Sequence, residues 1–391
     1  MLMTLDKNLT VVEAYRSDLG RTRDDLTTPA LLLDLPTVRK NILTMAASLN
    51  GAPRLRPHVK SHKCVQIARM QIEAGAAGMT TATVWEAAMM ARAGIDDLLI
   101  ANEVVGDEKT HCLAETARIA RMTVAVDHIR NAEMVSAAAR RANSEIGVLI
   151  EVDVGMNRCG VRSAEEACSL AKKLDSLPEL RLRGVMGYEG HCALEVNRGV
   201  RAAKAGEAMN KLLAVADALE ADGFEIEIVS AGGTGTYDLT GANPRITEIQ
   251  AGSYVFMDVT RLPIAPAFEI GLTVLCTVVS RTADTVVLDC GKKAIGADFM
   301  LPRLKGSGLP ARACAEEHLL FDVDDNHPLE VGDRVEVISG YCPITVNIHE
   351  VYHVIEDGRV VDIWPILTRG TGCGPLRRFI CSQRNGLVTQ R

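Results

Sequence analysis

Arg56-Pro57-His58-Val59-Lys60-Ser61-His62-Lys63 is the stretch of this chain from which its fold and chemistry are best inferred. It places one candidate amine nucleophile, Lys60, among several cationic or protonatable side chains. Positive charge nearby disfavours the ammonium form of a lysine, and a neutral amine can form a Schiff base with an aldehyde. Basic runs also commonly face water, so from spacing alone a solvated loop explains the stretch equally well.

Lys60 follows the second of eight short apolar runs that alternate with helix-like segments between residues 28 and 258. Such alternation is typical of a parallel barrel or a doubly wound sheet, and eight strands would close a barrel. The alanine-rich segments 84–93 and 135–142 have the apolar spacing of helices that pack outside a barrel. The predicted strands are residues 30–33, 54–57, 79–81, 97–100, 123–126, 147–152, 182–186 and 227–230.

A second domain is predicted after residue 261, where β-branched runs are separated by turns. Glu356-Asp357-Gly358-Arg359 is typical of a hairpin turn between the last two runs, 350–355 and 359–363. We therefore predict an α/β chain with a TIM (β/α)8 barrel followed by an antiparallel β-domain. The predicted boundaries are an N-terminal segment packing on the β-domain (1–27), the barrel (28–260), the β-domain (261–371) and a tail (372–391).

Length and composition are typical of a two-domain protein that acts on small molecules. A chain of 391 residues exceeds the usual size of one core, and a net charge of -7 does not indicate nucleic acid or an anionic membrane as a partner. The eleven cysteines include no C-x-x-C pair, so we expect reduced thiols in the cytoplasm and no disulfide framework. The first 26 residues lack the apolar stretch of a secretory signal, and no run approaches the roughly 18 apolar residues of a membrane span.

Polar motifs follow the predicted strands, and a parallel barrel carries its chemistry on the loops at that end. Besides Lys60, these motifs are residues 153–158, the Tyr188-Glu189-Gly190-His191 tetrapeptide and residues 230–236. The last of them, S-A-G-G-T-G-T, suits a phosphate group, since glycines let backbone N–H groups approach the phosphate oxygens and hydroxyls add donors. A plain turn is the alternative interpretation of this glycine-rich loop.

The octapeptide R-P-H-V-K-S-H-K resembles the lysine motif of the D-threonine aldolase and D-serine dehydratase family of pyridoxal phosphate enzymes, which share the alanine racemase type of fold. The resemblance implies that Lys60 holds pyridoxal 5'-phosphate covalently, with His58 as a further cofactor contact. It extends from residue 28 to about residue 371, and the order of barrel and β-domain is also that of the family. It implies an amino acid substrate and a homodimer.

Further site residues are implied by the same resemblance. Arg158 is expected to orient a ring oxygen of the cofactor or a substrate carboxylate, and an ion pair with Asp153 is the alternative. Tyr188 is expected to contact the cofactor ring and His191 to act as an acid or base, with a structural role as the alternative for the histidine. The other expected cofactor contacts are Ser230, Gly232, Gly233, Thr234, Gly235, Thr236, Gly252, Ser253 and Tyr254.

The segment 340–347, G-Y-C-P-I-T-V-N, departs from the family pattern. Members generally read H-x-D or H-x-C there, and those two residues bind a divalent metal near the substrate hydroxyl. The matching positions here are Tyr341 and Pro343; proline has no donor atom, and a neutral phenol is a poor ligand. We predict that the usual metal site is lost, with a soft metal on Cys342, assisted by His349 or His353, as the alternative.

The resemblance implies a lyase that cleaves a D-configured β-hydroxy amino acid, of the D-threonine or D-3-hydroxyaspartate type, to glycine and an aldehyde. Dehydration of D-serine or 3-hydroxyaspartate is one alternative. The altered metal segment keeps a metal-independent amino-acid racemase as another, since racemisation needs only bases on opposite faces of Cα. A non-catalytic pyridoxal phosphate carrier is the alternative from a different class, and it would leave the residues after 261 without a role.

Overall fold

The structure, a computed structural model, describes residues 11–49 and 53–370. The start of the predicted N-terminal segment and the predicted tail, 372–391, lie outside the described residues. Within them the chain divides into two compact units, one of residues 11–44, 61–66 and 253–370 and one of residues 45–49, 53–60 and 67–252. No helix in these parts of the chain combines the length and the hydrophobicity that crossing a bilayer requires.

Strands and helices alternate up to residue 249, and strands predominate after it. The strands of the described residues are β1 (Ala30–Asp34), β2 (Arg54–Leu55), β3 (Met79–Thr81), β4 (Asp97–Glu103), β5 (Arg121–Val126), β6 (Ile146–Glu151), β7 (Leu180–Met186), β8 (Ile228–Ala231), β9 (Glu248–Ile249), β10 (Leu272–Arg281), β11 (Thr285–Leu288), β12 (Arg303–Leu304), β13 (Ala313–Cys314), β14 (Leu319–Asp322), β15 (Arg334–Ile338), β16 (Val351–Glu356) and β17 (Arg359–Pro365). The helices are α1 (Leu35–Ser48), α2 (Val65–Glu73), α3 (Val84–Arg92), α4 (Asp107–Thr116), α5 (Ile129–Ala142), α6 (Ala164–Leu174), α7 (Arg198–Ala221), α8 (Tyr237–Thr240) and α9 (Cys342–Ile348).

The unit that includes residues 67–252 is built on an eight-stranded parallel sheet in the order β2-β9-β8-β7-β6-β5-β4-β3. A bridge between His58 and Thr80, and a hydrogen bond from the Thr80 N–H to the Pro57 carbonyl (2.8 Å), join the end of β2 to β3. The sheet is thereby curled into a barrel, as predicted. Side chains of five successive strands pack into one buried cluster: Leu99, Ala125, Leu149, Met186 and Ile228.

The helices between the strands begin at capping residues that the sequence supplies. The hydroxyls of Thr83 and Ser163 accept the N–H groups of Glu86 and Glu166 at the starts of α3 and α6. The apolar spacing predicted helices over 84–93 and 135–142, and the structure has α3 over the first and the second half of α5 over the other. These helices separate the parallel strands, as crossover connections do.

One predicted barrel strand lies in the other sheet. Residues 30–33 belong to β1, which pairs antiparallel with β10 and parallel with β16. Its first four residues are all buried, so its apolar run fits the interior of either sheet. The eighth barrel strand is instead β9, which has two residues and was too short for its apolar pattern to be recognised. It pairs with β8 on one side and β2 on the other.

The other unit is built on a nine-stranded sheet whose main path is β13-β14-β11-β10-β1-β16-β17. The predicted hairpin turn is observed between β16 and β17, where Asp357 and Gly358 both have positive φ (50° and 74°). In the described part of the N-terminal segment, the Gly20 N–H donates to the Val360 carbonyl (2.8 Å). Leu26 of the same segment lies in a buried cluster with Val351 and other side chains of this unit.

Candidate functional site

Lys60 lies in a short 3-10 turn, Val59–Ser61, on the loop that follows β2. Its backbone N–H donates to Nδ1 of His58 (3.3 Å). The N–H of His58 in turn donates to the carbonyl of Ala251, which follows β9 (3.2 Å). Since β2 and β9 are neighbours, these bonds fix the Lys60 backbone at the carboxyl end of the barrel, where sequence reasoning expected it.

The side chain of Tyr188 connects Lys60 with the glycine-rich loop. Lys60 Nζ lies 5.8 Å from the centroid of the Tyr188 ring. A Cβ added to Gly233 would lie 3.0 Å from Cε2 of that ring, and one added to Gly190 would lie 2.4 Å from Cε1. Glycine at these two positions therefore makes room for the ring. The loops after β2, β7 and β8 meet at Tyr188.

The glycine-rich loop is held by a buried carboxylate that sequence reasoning passed over. Gly232 has a φ of +79°, and its N–H donates to Glu189 Oε2 (3.2 Å). The other oxygen of Glu189 accepts the hydroxyl of Thr240. The N–H of Gly233 donates to the hydroxyl of Thr236 (3.1 Å). In the sequence Glu189 lies between Tyr188 and His191, which were predicted to be site residues. Its role in holding the loop is evident only from its burial and its hydrogen-bond partners.

The remaining predicted phosphate contacts divide between the two units. Ser230 is buried, and its hydroxyl accepts a hydrogen bond from Gln250 Nε2 (2.9 Å). Thr234, Thr236 and Gly235 lie in the same buried loop, and Gly252 follows β9 in the barrel unit. Ser253 and Tyr254, which were also predicted to contact the cofactor, belong to the other unit. There the Ser253 hydroxyl is 3.4 Å from that of Ser61, and the Tyr254 ring packs on Phe268.

Arg158 and Asp153 do not form the ion pair considered as an alternative for this loop. Asp153 accepts the N–H groups of Gly155 (3.0 Å) and Asn157 (2.9 Å), so its carboxylate closes its own loop. Burial opposes ionisation there, yet these N–H donors hold the pKa of Asp153 below its ordinary value. Arg158 is half exposed and lies nearest to Glu151, with 3.6 Å between its NH2 nitrogen and Oε1. Its ion partner is therefore the last residue of β6.

His191 lies on the loop after β7 with an exposed side chain. Its imidazole packs against Gly155, where an added Cβ would come within 2.9 Å of Cε1. Together with Arg162, Glu207 and Lys211 it lines a cavity of about 520 Å³ beside the loop that follows β6. The imidazole is therefore exposed to water.

Arg56 belongs to the basic stretch, but its charge is paired with two carboxylates. It is buried, and its guanidinium donates to Asp97 (2.8 Å) and Glu248 (2.7 Å). Burial opposes its charge, but these two carboxylates hold the pKa of Arg56 above its ordinary value. Two carboxylates therefore neutralise the charge of Arg56, which the sequence placed among the cationic neighbours of Lys60.

The residues that match the family's metal ligands do not fit a divalent cation. The guanidinium of Arg261 lies 5.2 Å from the centroid of the Tyr341 ring and is paired with Asp258 (2.8 Å). Asp258 also accepts the N–H of Cys342 (3.1 Å). Burial raises the pKa of the Cys342 thiol, which disfavours the thiolate that a metal would need, and Pro343 has no donor. A bound cation would also face the positive charge of Arg261.

The two histidines named as alternative metal ligands are hydrogen-bonded to other groups. The ring of His349 contacts the carbonyl of Ala294 (2.7 Å), and Nε2 of His353 contacts the carboxylate of Asp18 (3.1 Å). In the described portion of the chain, no three His, Cys, Asp or Glu side chains are grouped as a metal ion would require. We therefore derive no step of the chemistry through a metal.

Comparison with known proteins identifies two matching sequence families. The family described as "Alanine racemase, N-terminal domain" matches residues 33–259, and the one described as "Putative serine dehydratase domain" matches residues 271–355. A D-threonine aldolase of Arthrobacter is 37% identical over 88% of this chain and 93% of its own length. A 3-hydroxy-D-aspartate aldolase of Paracoccus denitrificans is 34% identical over 90% of this chain and 95% of its own.

The solved structures lead to the same group of proteins. The crystal structure of D-threonine aldolase from Filomicrobium marinum superimposes with a TM-score of 0.87 and 35% sequence identity. The match covers 90% of this chain and 98% of that structure. The likeness therefore includes both units of the present chain.

Proposed function

The chain belongs to the alanine racemase N-terminal domain family, and from this membership we propose that it is a pyridoxal phosphate-dependent lyase acting on a D-β-hydroxy amino acid. The proposed reaction is retro-aldol cleavage to glycine and an aldehyde. The names of two relatives, a D-threonine aldolase and a 3-hydroxy-D-aspartate aldolase, support this substrate class.

The observation that carries the proposal is the position of Lys60 Nζ, 5.8 Å from the Tyr188 ring that borders the glycine-rich loop. An amine, an aromatic face and a buried loop of glycines and hydroxyls are the groups that an aldehyde, a ring and a phosphate require. Lys60 would hold the cofactor aldehyde, residues 230–236 with Gly252 its phosphate, and Arg158 its ring oxygen. When bound, pyridoxal phosphate withdraws electrons from the Cα of an amino acid.

The residues of this chain would then choose the bond that breaks and move the proton. Retro-aldol cleavage requires removal of the proton on the β-hydroxyl oxygen, and a side-chain base must take it because the metal-matching residues do not fit an ion. His191 is the base that we propose, since its imidazole is exposed on the loop that follows β7 and imidazole is a common general base. Tyr188 would orient the cofactor ring, and the substrate would lie against that ring.

Dehydration is the second candidate function, and one specific observation favours it. Residues 271–355 match a domain described as a putative serine dehydratase domain. Dehydration removes the proton from Cα and expels the β-hydroxyl. An acid must therefore protonate the departing β-hydroxyl, whereas in retro-aldol cleavage a base must remove the proton of that hydroxyl. The Lys60 amine could take the Cα proton in that case.

Product analysis separates these functions. Purified protein with pyridoxal phosphate is incubated with D-threonine, D-serine and D-3-hydroxyaspartate, each with and without EDTA, and a Lys60→Ala variant serves as the control. We expect glycine and an aldehyde from D-threonine or D-3-hydroxyaspartate, undiminished by EDTA and absent in the variant. A keto acid with ammonia would instead support the dehydratase, and an L-enantiomer would support a racemase. Loss of glycine in EDTA would contradict metal-independent cleavage.

A further inference from the structure

Carboxylates end three neighbouring strands of the barrel at its carboxyl end. Glu103 is the last residue of β4, Asp127 follows β5, and Glu151 is the last residue of β6. The pairing of β4 with β5 shifts its register between Ile100 and Glu103, as it does at a β-bulge. Bulges can re-aim a side chain next to the irregularity, and Glu103 is the residue at which the pairing resumes.

Two of these carboxyl groups have buried oxygens without a partner. Glu151 is only 4% exposed, and neither its Oε2 nor Oε1 of Glu103 accepts a hydrogen bond from any described residue. The two carboxyl groups are close enough to hydrogen-bond with each other. Ionised carboxylates are acceptors only, so this contact becomes favourable when one of the two carries a proton and donates it.

The surroundings of the pair bear mainly negative charge. Burial, then the charge of Glu103, and to a lesser extent Asp127, raise the pKa of Glu151, while Arg158 opposes the rise. Burial, and then the carboxylate of Glu103, raise the pKa of the Cys159 thiol. Among the groups that influence Glu151, Arg158 is the cation, and its nitrogen lies 3.6 Å from Oε1.

We propose that Glu103 and Glu151 share one proton at neutral pH and thereby position Arg158, leaving a single negative charge beside its guanidinium. Only the role of Arg158 toward a cofactor or substrate oxygen rests on the proposed function. At alkaline pH the shared proton passes to solvent, and the second negative charge draws the guanidinium toward Glu151. Arg158 is then less available to an external oxyanion, so binding of that oxyanion weakens.

The shared proton is tested by infrared difference spectroscopy of the purified full-length protein between neutral and alkaline pH. We expect the C=O band of a protonated carboxyl to disappear at alkaline pH in the wild type and to be absent in Glu103→Gln. Glu133→Gln removes an exposed glutamate of α5 and is the matched control that keeps the band. Absence of the band from the wild type, or its survival in Glu103→Gln, would overturn the shared proton.

Arg158→Gln provides a second variant that should not disturb folding, because that side chain is 52% exposed. Removal of the cation should raise the pH at which the carboxyl band disappears, since a nearby positive charge favours ionisation. An unchanged midpoint would show that Arg158 and the pair are not coupled. This measurement needs no cofactor, so it does not depend on the proposed function.

The positioning role is tested by titrating pyridoxal phosphate into the protein and following its absorbance across the same pH range. We expect the affinity of the wild type to fall as the carboxyl band disappears, and that of Glu103→Gln to stay flat. The same fall in Glu103→Gln would overturn the positioning role. If no variant binds the cofactor at any pH while the carboxyl band is present, the proposed function fails and the shared proton stands.

Discussion

Arg56 and Lys60 are four residues apart in one basic stretch, yet they have different surroundings. Arg56 is buried and is neutralised by Asp97 and Glu248, whereas Lys60 Nζ lies near the Tyr188 ring. The sequence could supply the nucleophile and its neighbours along the chain. It could not supply the two acids, which come from β4 and β9, about 40 and 190 residues further along.

Replacement of Arg56 is expected to damage stability far more than replacement of Lys60. Arg56→Gln would leave the buried Glu248 without its cation and Asp97 with the exposed Arg121 as its remaining partner, and loss of a buried partner typically costs about 3–5 kcal/mol of unfolding free energy. Lys60→Ala, at a half-buried position, is expected to cost less than about 1 kcal/mol. Urea unfolding of both variants measures the difference, and equal losses would contradict this division between a structural and a chemical residue.

The Glu103–Glu151 pair makes stability depend on pH. The pKa of Glu151 is raised in the folded state. The free energy of unfolding therefore falls as the pH rises from the ordinary pKa of a glutamate to the raised pKa of Glu151. The folded protein binds the extra proton in that window, so wild-type stability is expected to fall from mildly acidic to alkaline pH. Glu103→Gln removes a charge that raises the pKa of Glu151, and its thermal melting temperature should therefore fall less over the same window. Equal slopes in Glu103→Gln and the Glu133→Gln control would contradict the shift.

At the scale of elements, the sequence predicted seven of the eight barrel strands and misassigned one. β1 is apolar on both faces, and such a run fits a parallel barrel and the centre of a mixed sheet equally well. β9 has two residues, so no periodicity could identify it. The loops that carry the motifs were nevertheless placed correctly at strand ends. Most of them follow a strand long enough to be recognised from its apolar pattern, and the loop of Lys60 follows the predicted segment 54–57.

The contact between the loops after β7 and β8 depends on Gly235. A Cβ there would lie 1.9 Å from the carbonyl oxygen of Ala193, so backbone must move. Gly235→Ala is expected to lose about 1–3 kcal/mol of unfolding free energy and to weaken cofactor binding. Gly206→Ala, in α7 with nothing within 4 Å of the added atom, is the matched control and should gain about 0.5–1 kcal/mol. Equal effects at both glycines would contradict the close loop contact.

At the scale of the whole molecule, the sequence predicted a barrel followed by a β-domain, and the matches to both sequence families agree with that order. The missing donors at Tyr341 and Pro343 could also be recognised from the sequence. What stands beside them could not be recognised, since Arg261 and Asp258 approach Tyr341 from about 80 residues earlier in the chain. An ionic contact over that separation has no signal in local spacing.

Restoring the two donors tests whether Tyr341 and Pro343 are the reason that this segment does not fit a divalent metal. The double variant Tyr341→His with Pro343→Asp is expected to bind manganese or zinc in calorimetric titration, because imidazole and carboxylate are ligands that such ions favour. Tyr341→His alone, with a single new donor, is the control and should bind more weakly. No heat of binding in the double variant would contradict this explanation of the altered segment.

The central claim is that Lys60 is the residue that binds pyridoxal phosphate. The most direct measurement is reduction of the protein with borohydride in the presence of the cofactor, followed by peptide mapping in a mass spectrometer. We expect the mass of the reduced cofactor on the peptide that contains Lys60, and we expect Lys63→Ala to leave it there. Cofactor mass on another lysine, or on none, would contradict it.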